Sequence, residues 1–175
     1  SAGIKSVNRS ANIILLGEMG IGNSTVASAL AASVFGGRVA DWVGAGTGSD
    51  EKGIAHKIDI IEEGIAKHGL RPDLTAILAF GGREQAAICG AILAARSASI
   101  PVLLDGYICT AAAAPLYALS PSLLDHCLVG HKSAEPGHQK LLQSMNKKPI
   151  LDLNMRLGEG TGAALALSIL KAAVA

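Results

Sequence analysis

Short apolar runs ending in glycine alternate along the chain with longer stretches in which apolar residues recur every three or four positions. The first run, Asn12 to Leu16, leads into the glycine-rich Gly17 to Gly22 and predicts a buried strand leaving into a tight turn. A helix is expected over Ser24 to Phe35, capped by the Asn23 side chain and stopped by Gly36-Gly37. Val39 to Val43 reads as a second strand, ahead of the loop Gly44-Ala45-Gly46-Thr47-Gly48. Ile54, Ile58, Ile61 and Ile65 share one face of a helix over Asp50 to His68. Asp73 to Phe80 and Arg83 to Arg96, separated by Gly81-Gly82, read as a helix pair. Strands over Ile100 to Leu104, Cys127 to Gly130 and Ile150 to Leu153 then alternate with helices over Tyr107 to Leu119, Pro136 to Met145 and Glu159 to Ala173.

Strands that alternate with helices and are themselves short and apolar predict an α/β fold, a parallel sheet with helices on both faces. Ligands of such sheets sit beyond the carboxyl ends of the strands. Glycine-rich segments fall at those ends, after Leu16, Val43, Leu104, Val129 and Leu153, and together they point to one site on one rim. Residues 1–11 are polar and aperiodic and read as a flexible tail or truncated linker, which leaves 12–175 as a single domain.

Composition narrows the function. Of 175 residues half are apolar, 17% are charged and only 3% are aromatic, so the core is built of Ala, Leu, Ile and Val. A net charge of +1 provides no field for a nucleic-acid backbone, so no nucleic-acid partner is expected and any bound anion is small. Cys89, Cys109 and Cys127 are too widely spaced for a zinc site and odd in number, as expected of buried thiols in a reducing, cytoplasmic compartment. The uncharged stretch Gly106 to Leu124 is long enough to span a bilayer. Pro115, Pro121 and its hydroxyl residues make it a buried helix and loop, with no membrane partner.

Three motifs carry candidate chemistry. Gly17-Glu-Met-Gly-Ile-Gly22-Asn23-Ser24 differs by one residue from the G-x4-G-K-[ST] phosphate loop. Its glycines expose amides ahead of a helix, but Asn23 replaces the lysine that neutralises triphosphates, which weakens a nucleotide-triphosphatase reading. Arg156-Leu-Gly-Glu159-Gly-Thr-Gly162 places a carboxylate at a helix start between two glycines, where a general base can approach a ligand closely. In His131-Lys132-Ser133-Ala-Glu135-Pro136-Gly-His138 the proline keeps the histidines off a shared helical face, so Lys132 and Ser133 suit phosphate or ribose better than the cluster suits a metal. Lys57, beside His56, follows the Gly46–Gly48 loop.

Taken in order, these segments, with Val43-Gly-Ala-Gly-Thr-Gly48, Phe80-Gly-Gly-Arg-Glu84 and Val102-Leu-Leu-Asp-Gly106, resemble the nicotinate-nucleotide:dimethylbenzimidazole phosphoribosyltransferases. The likeness runs from about Gly17 to the C-terminus. It implies a Rossmann-like sheet, here without the N-terminal portion of family members, and a homodimer. It also implies transfer of phosphoribose from nicotinate mononucleotide to 5,6-dimethylbenzimidazole, giving α-ribazole 5′-phosphate, the lower-ligand precursor of cobalamin, and nicotinate. No metal or other cofactor is implied. Glu159 is implied as the general base, with Glu18 as the second acidic contributor. Lys57, Ser133, Arg156 and the amides near Gly20 and Gly22 are implied to hold the 5′-phosphate, and Met19, Gly158 and Gly160 to complete the substrate contacts. The chain departs from the family in carrying Ala45 where arginine is frequent and Asn154 where glycine is common. The alternative is a non-catalytic fragment that binds a nucleotide, a phosphate or a partner chain.

Overall fold

The computed structural model describes residues 2–46 and 48–175; Ser1, in the expected tail, and Thr47, in the expected Gly44–Gly48 loop, lie outside it. Four strands form one fully parallel sheet in the order β1 (Ile14–Leu16), β2 (Val102–Leu104), β3 (Cys127–His131) and β4 (Pro149–Leu151). Leu16 pairs with Leu104, Leu104 with Val129, and His131 with Leu151, so the carboxyl ends of all four strands lie on one rim.

The helices are α1 (Ala2–Ser6), α2 (Asn23–Phe35), α3 (Glu51–His68), α4 (Thr75–Ala79), α5 (Arg83–Ser97), α6 (Tyr107–Leu119), α7 (Pro136–Ser144) and α8 (Thr161–Val174). Both sheet faces are covered, but unequally. Val102 and Leu104 of β2 join a core with residues of α2, α5, α6 and α7, whereas Leu103, between them, packs on Ala163 and Ala166 of α8. This follows from the strand order. Successive crossovers that step in one direction and keep one hand return on the same face, leaving the other to the helix after the last strand. Alanine makes the large layer possible: Ala111 to Ala114 of α6 are wholly buried, and small side chains let α2 and α5 approach on either side. The Cys89 thiol donates to the Ala112 carbonyl at that contact. Burial pushes the thiols of Cys89, Cys109 and Cys127 up to about 12, which makes them inert.

Three expectations are corrected. The expected strand Val39 to Val43 is instead a 3₁₀ turn over Val39–Asp41 followed by an irregular segment. The fully buried Trp42 draws it into the helical layer, where its indole N–H donates to Gly36 O and its ring stacks on Phe35. Its own carbonyl accepts from Ser28 and Tyr107, so no strand partner takes it. Four strand ends, not five, therefore form the rim. The expected tail contains α1, which docks on α5 because Gly3 has no side chain to collide with Ala87. Asn23 does not cap α2; Gly22, in the left-handed region at φ 85°, occupies that position.

Candidate active site

A cleft of about 490 Å³ opens beyond the carboxyl ends of β1, β2 and β3. Its wall includes Glu18, Met19, Gly20, Gly22, Ser133, Arg156, Gly158 and Glu159, from segments far apart in sequence. Gly160 lies just behind, in a shallower opening that it shares with Gly17, Glu18 and Glu159. Lys57 is not on the wall. Its ammonium stands one layer out, 3.4 Å from the Ser24 hydroxyl and 3.3 Å from the Gly44 carbonyl, and Ser24 and Gly46 are the residues that reach the cleft there. Lys132 turns away and pairs with Asp152 on the surface, so it does not join Ser133 as expected.

The loop after β1 is organised around Glu18. One carboxylate oxygen accepts from the Gly20 amide at 3.0 Å and from the side-chain amide of Asn23. This explains both Asn23 and Gly20. The buried Asn23 takes up its position in order to hold Glu18, and the Gly20 amide is engaged inside the loop rather than aimed at a ligand. Desolvation raises the Glu18 pKa above its ordinary value, with the Asn23 and Gly20 hydrogen bonds opposing and the charges of Glu84 and Asp105 reinforcing.

Glu159 lies two residues ahead of α8, not at its first turn, in a run of left-handed residues: Gly158 at φ 75°, Glu159 at φ 58° and Gly160 at φ 81°. The side chain of Glu159 is exposed at the cleft mouth. Asn154, where glycine is common in the resembling family, also has a positive φ, of 57°, a conformation asparagine tolerates better than most residues.

Ser133 is held from behind. Its amide donates to His138 Nδ1 at 2.9 Å, His138 Nε2 meets Thr110 Oγ1 at 3.2 Å, and Thr110 donates to the Gly106 carbonyl. Each group in that buried row has one role only if His138 is neutral, and burial, helped by the charge of His131, lowers its pKa to about 3. His138 is thus a support for the Ser133 loop. Among the described residues no three His, Cys, Asp or Glu side chains converge as a metal site.

Several residues of the wall had no site role in the sequence expectations. Glu135 and Tyr107 line it, and the Tyr107 hydroxyl donates to the Trp42 carbonyl at 2.8 Å. Asp105, 2% exposed, and His131, 1% exposed, form its floor. An acid at the end of an all-apolar run, followed by glycine, was the available signal for Asp105. Among the described residues, the cleft carries the carboxylates of Glu18, Asp105, Glu135 and Glu159 beside the one guanidinium of Arg156. Such a lining favours a ligand with positive charge at one part and a small anion at another.

Comparison with known proteins supplies the family. A family described as phosphoribosyltransferase matches residues 1–175. A nicotinate-nucleotide–dimethylbenzimidazole phosphoribosyltransferase of Rhodobacter capsulatus is 56% identical over 99% of the chain and 52% of its own length. That of Brucella anthropi is 53% identical over 98% of the chain and 51% of its length. The crystal structure of CobT from Thermus thermophilus superposes with a TM-score of 0.88 at 39% identity, covering 98% of the chain and 52% of that structure. The chain spans about half the length of these relatives, and it belongs to the nicotinate-nucleotide:dimethylbenzimidazole phosphoribosyltransferase family.

Proposed function

We propose that the protein carrying this chain transfers the phosphoribosyl group of nicotinate mononucleotide to 5,6-dimethylbenzimidazole, with Glu159 as proton acceptor. The observation that supports this most directly is the meeting of the Glu159 turn and the Glu18 loop on one cleft at the carboxyl rim. One ring nitrogen of the benzimidazole attacks the anomeric carbon while the other loses its proton to Glu159. The bond from that carbon to the pyridinium nitrogen breaks, and its electron pair neutralises the ring, so nicotinate leaves without an acid. Glu18 stabilises positive charge on the ribose as it develops. Arg156, Ser133, Lys57 and the turn at Gly22 hold the 5′-phosphate, Lys57 after turning from its contacts with Gly44 and Ser24.

The same proposal includes a homodimer in the cytoplasm. Leu165 and Ile169 leave apolar surface uncovered on α8, and the three thiols are unpaired. The test is Glu159→Gln in the full-length protein, assayed for α-ribazole phosphate formation and for nicotinate mononucleotide binding by calorimetry. Turnover is expected to fall by about 100-fold or more with binding retained. Undiminished turnover removes Glu159 from the mechanism, and binding without turnover in the unmodified protein favours a non-catalytic role.

A further inference from the structure

We propose that Asp105 is the positioning residue for the proton acceptor, its carboxylate fixing the left-handed turn that presents Glu159. The inference rests on Glu159 being that acceptor. A turn of three consecutive positive-φ residues with a glutamate at its centre does not hold itself. Glycines on either side are free to leave the conformation, and Glu159 gains by leaving it. What opposes this is Asp105. One of its oxygens accepts from the Gly160 amide at 3.1 Å and the other from the Ala163 amide, in the first turn of α8, at 2.8 Å. The two bonds grip the chain immediately after Glu159 and at the start of the helix that follows.

The gripping residue is itself immobile. The Asp105 amide donates to the Leu16 carbonyl and its carbonyl accepts from the His131 amide, so the backbone is held on both sides by neighbouring strands. The His131 ring stands beside the carboxylate, Nδ1 3.6 Å from the oxygen that Ala163 uses, and among the described residues Nδ1 has no hydrogen-bond partner of its own. Gly106 and Gly162 flank that ring, and a side chain on Gly162 would overlap it. The imidazole therefore fills the space into which the carboxylate would rotate. Each Asp105 oxygen thus holds an amide of the segment that follows Glu159, and its role is exerted through the position of Glu159.

The test is Asp105→Asn in the full-length protein. Asparagine keeps the size but must set its amide against one of the two N–H groups. kcat is expected to fall about 100-fold, the scale of a misplaced reacting group, with the KM for nicotinate mononucleotide unchanged. Adding Asp105→Asn to Glu159→Gln is expected to cause no further loss. A folded Asp105→Asn protein with undiminished kcat overturns the proposal, as does a full additional loss in the Glu159→Gln background, which marks a general structural role. Amide exchange in the unmodified protein provides a readout that does not depend on the variant folding: slow exchange at Gly160 and Ala163 supports the grip, and exchange as fast as in an open loop overturns it. Glu159→Gln alone tests the acceptor, so an inactive Glu159→Gln beside an active Asp105→Asn rejects only the role of Asp105.

Discussion

Gly17 and Gly160 pack backbone against backbone, so that a Cβ on Gly17 would lie 2.5 Å from the Gly160 nitrogen and 2.6 Å from its Cα. This contact joins the two glycine-rich turns that carry Glu18 and Glu159. Neither side has a flexible side chain that could yield, so Gly17→Ala must push the turns apart. The expected cost is about 1–3 kcal/mol of stability, as for other overpacked sites, with a larger loss of turnover. Denaturant midpoints and initial rates measured on the same preparation check both.

Glu18 gives a pH signature. Its pKa is raised by burial, so the folded state holds its proton more tightly than the unfolded chain above the ordinary carboxylate range. The charged form therefore destabilises the fold at neutral pH, and that cost fades as pH falls through the raised value. Glu18→Gln, which can still accept from Gly20 and Asn23 through its carbonyl oxygen, is expected to be at least as stable as the parent at pH 7. The advantage should shrink towards pH 4 while turnover stays low. Urea unfolding across that range measures it, and a widening advantage in acid contradicts the assignment.

His138 works in the opposite direction. Its folded pKa is depressed to about 3, so between that value and its ordinary 6.5 the unfolded chain binds the extra proton. Stability contributed by neutral His138 is complete above pH 6.5. Below that it is lost by about 1.4 kcal/mol for each step of one in pH, until the depressed value is reached. His138→Gln is expected to be less stable at pH 7 by about 1–2 kcal/mol, through the lost Thr110 contact, but flatter from pH 6.5 to 4. Unfolding free energies at several pH values separate the two curves.

Lys57 is the candidate phosphate ligand furthest from the cleft. If its ammonium swings from Gly44 and Ser24 to the 5′-phosphate, Lys57→Met raises the KM for nicotinate mononucleotide by about 10-fold or more and leaves kcat within a small factor. An unchanged KM confines Lys57 to holding the Gly44–Gly46 loop.

Much of this was legible from spacing alone. The helix Tyr107–Leu119 was readable through Pro115 because an alanine run precedes it and the apolar Leu116 to Leu119 follow it. The rim was readable because the first three strands run into a glycine or a short polar pair: Gly17, Asp105-Gly106 and Lys132-Ser133. What was hidden depended on partners distant in sequence. Trp42 looked like part of a strand until its carbonyl was seen to serve Ser28 and Tyr107. The segment around Gly3 looked like a tail because the surface it docks on, at Ala87, lies in another helix. Asn23 fits every local rule for a cap, and here the competing partner is near: the Glu18 carboxylate, five residues back in the same loop, redirects it. Asp105 offered a local signal, but its role depends on amides at the far end of the chain.

The parallel sheet that brings Glu18 from the first strand beside Glu159, after the last, also sets when a cleft can exist. Neither carboxylate meets the other until every intervening crossover has been laid down, and such non-local closure is slow to form. A nucleotide that touches both turns therefore recognises only completed molecules. Binding raises the free energy of unfolding by RT ln(1 + [L]/Kd), so a rise in melting temperature that grows with ligand concentration reports assembly of the whole rim.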